Sequence, residues 1–364
     1  MAAEISSSLV RRTKVSRLLH LAGICAALVV CFLVLTQGCS WNRPEKNDTA
    51  NGNPGNVAGT RQINPPLNFA PYSPAAIYAG LQRNTFSKTG YDTDPDISRD
   101  GQWIVYVSDS HSGNPDIFLK KLNGEAIVQK TTSASNDVQP CFSPDGKNIA
   151  FSSDRNGKYD IFIMPTDKNG SLWQVTRSTA DAVSPSWSPD GKKLAYCAKT
   201  PRGDWEIWIA DLNTQSLTNL GPGMNPKWHP TQNLILFQRP YYSGALSYSI
   251  YTIDTEGKNL TLLVRGDRWV PTNAAWSTDG ARIAFAARGN ADGLATVAPL
   301  TKANDIWMIN ADGSQELRVT EGPGQNWRPT WAKIGDEEKI FFVSDKDNQT
   351  NIWSLNCGKF QIEE

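Results

Sequence analysis

The chain has 364 residues, with 36 basic and 36 acidic side chains and a formal net charge of zero. That balance excludes a nucleic-acid binder that works by releasing counterions from phosphates. Aromatics make up 10% of residues, 13 of them Trp, so the chain is not a disordered polypeptide, and 28 Gly with 22 Pro is too few for a collagen-like or low-complexity class.

The first element is an export signal over residues 1–38. Arg11, Arg12, Lys14 and Arg17 precede Leu21 to Leu35, a run without a charge, and the run ends in Thr36-Gln37-Gly38-Cys39. A basic segment, a short apolar stretch and a small residue before the cut are the marks of a cleaved signal. The Gly38-Cys39 junction resembles the bacterial lipobox, which implies lipidation of Cys39; Thr36 stands where that motif prefers Leu. The alternative is a single uncleaved anchor, since the run approaches the ~20 apolar residues that span a bilayer. Either reading places the rest of the chain in the bacterial cell envelope, facing the periplasm, and Ser40 after Cys39 leans towards the outer membrane. Cleavage removes four basic residues and one acid, turning 36 of each into 32 and 35.

Residues 39–76 read as a flexible tether. From Ser40 to Pro66 the sequence is rich in Asn, Gly and Pro and cannot bury enough surface to offset its ordering entropy. A stretch of this length reaches ~30 Å as a coil. Pro74–Gln82 has the length and composition to hold a short helix.

Residues 77–364 repeat themselves. An apolar residue ahead of a turn recurs at Ile97, Phe142, Trp187, Trp228, Trp276 and Trp331, with Ser-Pro-Asp-Gly-Lys after it in the two best copies. A second mark, Asp-Ile-aromatic or a close variant, ends at Phe118, Phe162, Trp208, Tyr251, Trp307 and Trp353. Both series lengthen across Ala287–Asn304, so one local insertion accounts for both irregularities. Between the marks lie short apolar runs such as Trp103–Val107, Ile149–Ser152 and Ile340–Val343, suited to strands buried on both faces. Four strands in ~40–45 residues is the period of a propeller blade. The predicted fold is therefore all-β: a six-bladed β-propeller of four-stranded antiparallel blades, with Trp187, Trp228, Trp276 and Trp331 packed between them. Closure requires the two ends to share a blade; Ile77–Phe86 is the expected closing strand and Lys359–Ile362 its competitor.

The segment Phe142-Ser-Pro-Asp-Gly-Lys147, followed by Ile149-Ala-Phe-Ser-Ser-Asp-Arg155 and Asp160-Ile-Phe162, resembles the WD40-like PD40 repeat of the TolB family. The resemblance covers about residues 92–357. It implies a six-bladed propeller that binds other envelope proteins and performs no chemistry. That family carries an α/β domain before its propeller, a place held here by the tether alone, so the expectation is a TolB-like propeller lipoprotein and not TolB itself.

No catalytic site is expected. A Gly-x-Ser-x-Gly elbow is missing from the sequence, and His229 stands where other copies have Ser143 or Ser188, a turn position. Asp109, Asp154 and Asp345 precede Gly- or Asn-rich turns and read as local Asx-type turns in preference to Ca²⁺ ligands. Cys141 and Cys197 sit in apolar strand patterns as core residues. Neither a metal nor a cofactor is expected.

What remains is a surface. The hairpins between second and third strands and the blade-to-blade connections emerge on one face. There the sequence places Arg155, Tyr159, Arg202, Trp205, Arg239, Tyr241, Tyr242 and Arg288 from hairpins, with Arg268, Trp269, Trp327 and Arg328 from connections. Arg, Tyr and Trp are enriched at binding hot spots, and half of these aromatics are expected to pack between blades instead. The expected partners are envelope proteins. A glycan-binding module or carbohydrate-active propeller, with Trp269 and Trp327 stacking sugars, is the alternative; a sensor holding a metal or small ligand in its central channel is a third reading.

Overall fold

The computed structural model describes residues 80–111, 113–167, 171–242, 246–266, 269–289, 304–321 and 324–357. The chain divides into two compact units: Met1–Asn53, which lies outside the described residues, and Pro54–Glu364, which holds them all. The signal, Cys39, the tether, the tip of the Ala287–Asn304 insertion and the tail Lys359–Ile362 also lie outside the described residues.

Every regular element among the described residues is a strand. The first, β1 (Gln82–Arg83), stands apart from its successors. Blade 1 comprises β2 (Asp92–Ile97), β3 (Trp103–Ser108), β4 (Asp116–Lys121) and β5 (Ile127–Gln129), and blade 2 comprises β6 (Asp137–Phe142), β7 (Asn148–Ser153), β8 (Asp160–Pro165) and β9 (Trp173–Gln174). Blade 3 runs through β10 (Ala182–Trp187), β11 (Lys193–Lys199), β12 (Trp205–Asp211) and β13 (Leu217–Pro222). Blade 4 has β14 (Met224–Trp228), β15 (Leu234–Tyr242), β16 (Leu246–Asp254) and β17 (Thr261–Val264). Blade 5 has β18 (Trp269–Trp276), β19 (Arg282–Gly289), β20 (Asp305–Asn310) and β21 (Leu317–Arg318). The last blade takes β22 (Asn326–Ile334), β23 (Glu337–Ser344) and β24 (Asn351–Asn356) from the end of the chain and β1 from its other side, in the order β1-β24-β23-β22.

All neighbours within a sheet are antiparallel, with Gln82 opposite Ser354 and Arg83 opposite Trp353 at the closure. The closing strand is thus the segment before the first repeat. The innermost strands β2, β6, β10, β14, β18 and β22 each contact the next, and β22 contacts β2, so six four-stranded blades form a closed ring.

The core consists of six clusters, one at each blade interface. Successive residues of a strand point to opposite faces: Ile104 and Tyr106 pack against Phe341 and Ile352 of blade 6, while Val105 packs against Phe142, Phe151 and Phe162 of blade 2. Trp228, Trp276 and Trp331 are buried at the interfaces with the preceding blades, and Trp187 is half-buried at its own. A fully buried Phe such as Phe151 stabilises the fold by roughly 1.5–3 kcal/mol relative to leaving it exposed.

The turns between first and second strands use one device. Ser98, Ser143, Ser188 and Ser277 each donate Oγ–H to the Asp two residues on, at 2.6 Å. The same Oγ accepts the N–H of the residue five along, as in Asn148 and Lys193. In blade 4, His229 replaces the pair: its Nδ1 accepts the N–H groups of Thr231 at 3.2 Å and Gln232 at 3.1 Å.

Candidate functional surface and central channel

A blade of four antiparallel strands sends its second-to-third hairpin and its exit to the next blade out at the same end. Hydrogen bonds join the two sets of segments: Asp137 N–H donates to Pro115 O, Ala182 N–H to Tyr159 O, and Asn326 N–H to Asn304 O. Side chains reinforce them, and here the expectation of local Asx turns is corrected. Asp109, Asp154 and Asp345 accept not from their own turns but from Tyr91, Asn136 and Gln325 N–H at the start of the same blade, at 2.7, 2.7 and 2.5 Å. Each carboxylate ties hairpin to connection, a long-range partner that no local sequence pattern announces.

Behind this face lies a second repeated clamp, absent from the sequence reading. Thr131, Thr176 and Thr320, just beyond the fourth strands, donate Oγ1–H to Asp116, Asp160 and Asp305. Each also accepts a backbone N–H, from Ile117, Ile161 and Ile306 at 2.9 Å. Thr85 does the same for Asn351 and Ile352. Gln129, Gln174 and Arg318, two residues before the Thr, hold the second carboxylate oxygen. Its signal is a Gln-x-Thr or Arg-x-Thr about 15 residues after each Asp-Ile-aromatic, and Arg83-Asn-Thr85 carries it too.

Placing the candidate residues divides them. Arg155 is bound internally: it pairs with Asp137 at 3.0 Å and lies over the Phe162 ring at 4.7 Å. Trp205 is buried, with the Lys199 ammonium 5.9 Å from its ring centre. Arg239 donates Nε–H to Pro222 O at 2.7 Å and spans the Phe237 and Tyr251 rings, and burial depresses its pKa. Trp327 is partly buried against the cluster between blades 5 and 6. Tyr159, Tyr241 and Arg288 are half-buried. Arg268 and the side chain of Trp269 lie outside the described residues.

Arg202 and Tyr242 are exposed, and Tyr242 faces Leu246 across the end of the β15–β16 pair. These strands are nine residues each, and Tyr242 and Leu246 are 55% and 46% exposed. Leu246 is an addition to the sequence-derived set; the alternation of apolar residues through Leu246-Ser-Tyr-Ser-Ile250 is its signal.

Arg328 belongs to the central channel. In each innermost strand a bulge interrupts the register, and one non-glycine residue there adopts positive φ: Asp94, Gln139, Ser184, Asn225, Asn273 and Arg328. Pro follows in all but blade 5, which has Ala274. An innermost strand is a sheet edge, and Pro with a bulge blunts an edge by removing a donor and bending the chain. Side chains at this level bridge blades. Arg328 forms an ion pair with Asp94, Ser184 N–H donates to Gln139 Oε1 at 2.9 Å, and Ser184 Oγ–H donates to Asn225 Oδ1 at 3.0 Å.

Two residues on, the next level also reaches between blades. Asp96 Oδ2 accepts Phe142 N–H at 2.7 Å and Ser186 Oγ accepts Trp228 N–H at 2.9 Å. Burial pushes the Asp96 carboxyl up to about 6, against the opposing pull of the Lys227 ammonium. Cys141, Cys197 and Cys357 are buried, and burial raises each thiol, to about 12 for Cys197 and Cys357. Among the described residues no group of three or more His, Cys, Asp or Glu is placed to hold a metal ion, and no helix is long and apolar enough to cross a membrane.

Residues 76–241 match the family model described as the TolB beta propeller domain. Among solved structures the chain is similar to putative TolB from Agrobacterium tumefaciens, at 16% identity and TM-score 0.55, over 76% of this chain and 96% of that one. It is similar to TolB from Acinetobacter baumannii at 18% identity and TM-score 0.53, over 72% of this chain and 65% of that one. Oligogalacturonate lyase from Vibrio parahaemolyticus aligns at 12% identity and TM-score 0.54, over 77% and 94%. At these identities the likeness establishes fold and not activity. No curated protein matches the chain. Six repeats in phase and six antiparallel blades lead to one statement: the chain folds as a six-bladed β-propeller, and its residues 76–241 match the TolB beta propeller domain.

Proposed function

We propose that this protein is a non-catalytic, lipid-anchored propeller of the bacterial cell envelope that docks protein partners on its hairpin-and-connection face. The observation that carries the reading is the β15–β16 hairpin, which presents Tyr242 opposite Leu246 to solvent on that face. Exposed apolar side chains set on a rigid scaffold are usual places for recognition. Asp109, Asp137, Asp154, Asp160 and Asp345 are engaged by internal partners, while Lys88, Arg177 and Arg202 are exposed on the same side. Asp347 on the β23–β24 hairpin is exposed there too, so the partner surface is apolar at its anchor and meets charges of both signs around it. The signal-like segment ending at Cys39 supplies the address and the anchor.

Two measurements test this. Radiolabelled palmitate fed to cells is expected to label the wild type and not Cys39→Ala; equal labelling of both removes the anchor. Crosslinking in intact cells is expected to yield a defined envelope protein, lost on combining Tyr242→Ala with Leu246→Ala and retained in Trp173→Ala on the outer edge of blade 2. Retention in the double variant removes the assigned surface.

A further inference from the structure

Lys227 lies on β14, an innermost strand, yet it is exposed. A lysine is both where the channel or its mouth is open to solvent at the lysine's ammonium. Asp96 lies at the equivalent position of β2, in the blade across the ring, and senses the Lys227 charge through space without a direct ion pair. The other charges at the channel, Asp94 and Arg328, neutralise one another as an ion pair. The channel therefore offers one cationic wall and one anionic wall opposite.

We propose that this level of the channel binds a small zwitterion, its carboxylate on the Lys227 ammonium and its ammonium on the Asp96 carboxylate. A simple anion would satisfy Lys227 and be repelled by Asp96, and a metal cation would meet the reverse conflict. A molecule carrying both charges satisfies both walls, and its desolvated ion pairs are stronger inside the channel than in water. The site is separate from the hairpin surface and does not depend on it.

The test uses the full chain and a ladder of ω-amino acids with growing charge separation: glycine, β-alanine, γ-aminobutyrate, 5-aminovalerate and 6-aminohexanoate. Calorimetric titration is expected to show saturable binding that peaks at one chain length. Acetate and ethylammonium are expected neither to bind nor to compete. Lys227→Met and Asp96→Asn are each expected to weaken the best ligand at least tenfold. Absence of binding across the ladder, equal binding of acetate, or full binding in both variants overturns the proposal. Should a variant fail to fold, the wild-type ladder decides alone, because a flat response to chain length is incompatible with two fixed walls.

Discussion

Thr85 and Asn351, 266 residues apart in the chain, hold each other as Thr131 holds Asp116 within a single blade. Thr85 donates to Asn351 Oδ1 at 3.2 Å and accepts Ile352 N–H at 3.0 Å. Thr85→Val leaves the buried Ile352 N–H unpaired, while Asn351 Oδ1 keeps the Ser87 N–H at 3.0 Å, so it is expected to cost about 1–3 kcal/mol in urea unfolding. Thr131→Val is expected to cost a similar amount, and Thr85→Ser to retain most of the stability. A neutral Thr85→Val would mean that the seam holds without its clamp.

His229 and Asp96 give opposite pH dependence. Burial lowers the His229 pKa from its ordinary 6.5, so the unfolded chain takes up the proton first. The stability of the neutral ring is full above about 6.5 and is withdrawn as pH falls below it. Asp96 is raised from 3.8 to about 6, so its contribution is full below 3.8 and is lost as pH rises through about 6. Melting curves from pH 4 to 8 are expected to show a shallower acid loss in His229→Ser than in the wild type. Asp96→Asn, which keeps an acceptor for Phe142 N–H, is expected to gain on the wild type as pH rises from 4 to 7.

Gly280 and Gly146 occupy equivalent turns with φ of 76° and 70°. A Cβ at Gly146 meets nothing within 4 Å, whereas one at Gly280 would strike the His229 ring, itself held edge-on against Trp276 at 4.7 Å. Gly146→Ala is expected to cost the backbone penalty of roughly 1–2 kcal/mol, and Gly280→Ala more. In a double-mutant cycle, His229→Ser is expected to return the Gly280→Ala cost to that of Gly146→Ala. Additive costs would deny the contact.

On the hairpin face, Leu246→Ser is expected to leave stability within ~0.5 kcal/mol, as exposed substitutions do. Arg239→Ala removes the bond to Pro222 O and the stack on Phe237 and Tyr251, and is expected to cost about 1 kcal/mol. Urea melts of the two variants separate the docking surface from the residues that hold the hairpin.

The architecture is legible because its marks are local and repeated: a turn with Ser and Asp, an aromatic before it, an Asp-Ile-aromatic after it. Arg328 reads as a rim residue when taken alone. Set beside Pro95, Pro140, Pro185 and Pro226, which sit at the same bulge, the Pro after it moves Arg328 into the channel. Trp205 reads as exposed because it borders a hairpin, but its strand continues the register opposite Lys199 and turns the ring inward. The pairing of Asp109 with Tyr91 joins segments 18 residues apart within one blade, and that of Asp96 with Phe142 depends on how two blades meet, so neither has a local signature.

The strand that completes the last blade is the first to be synthesised among the described strands. β1 therefore waits for β24, and the ring stays an open crescent until the final repeat has been made. Contacts of such sequence separation are slow to form, and meanwhile the edge of β24 is bare and able to pair with the wrong strand. For this chain, assembly is timed by its far end, and a nascent product stopped short of Asn351 would lack the strand on which β1 pairs.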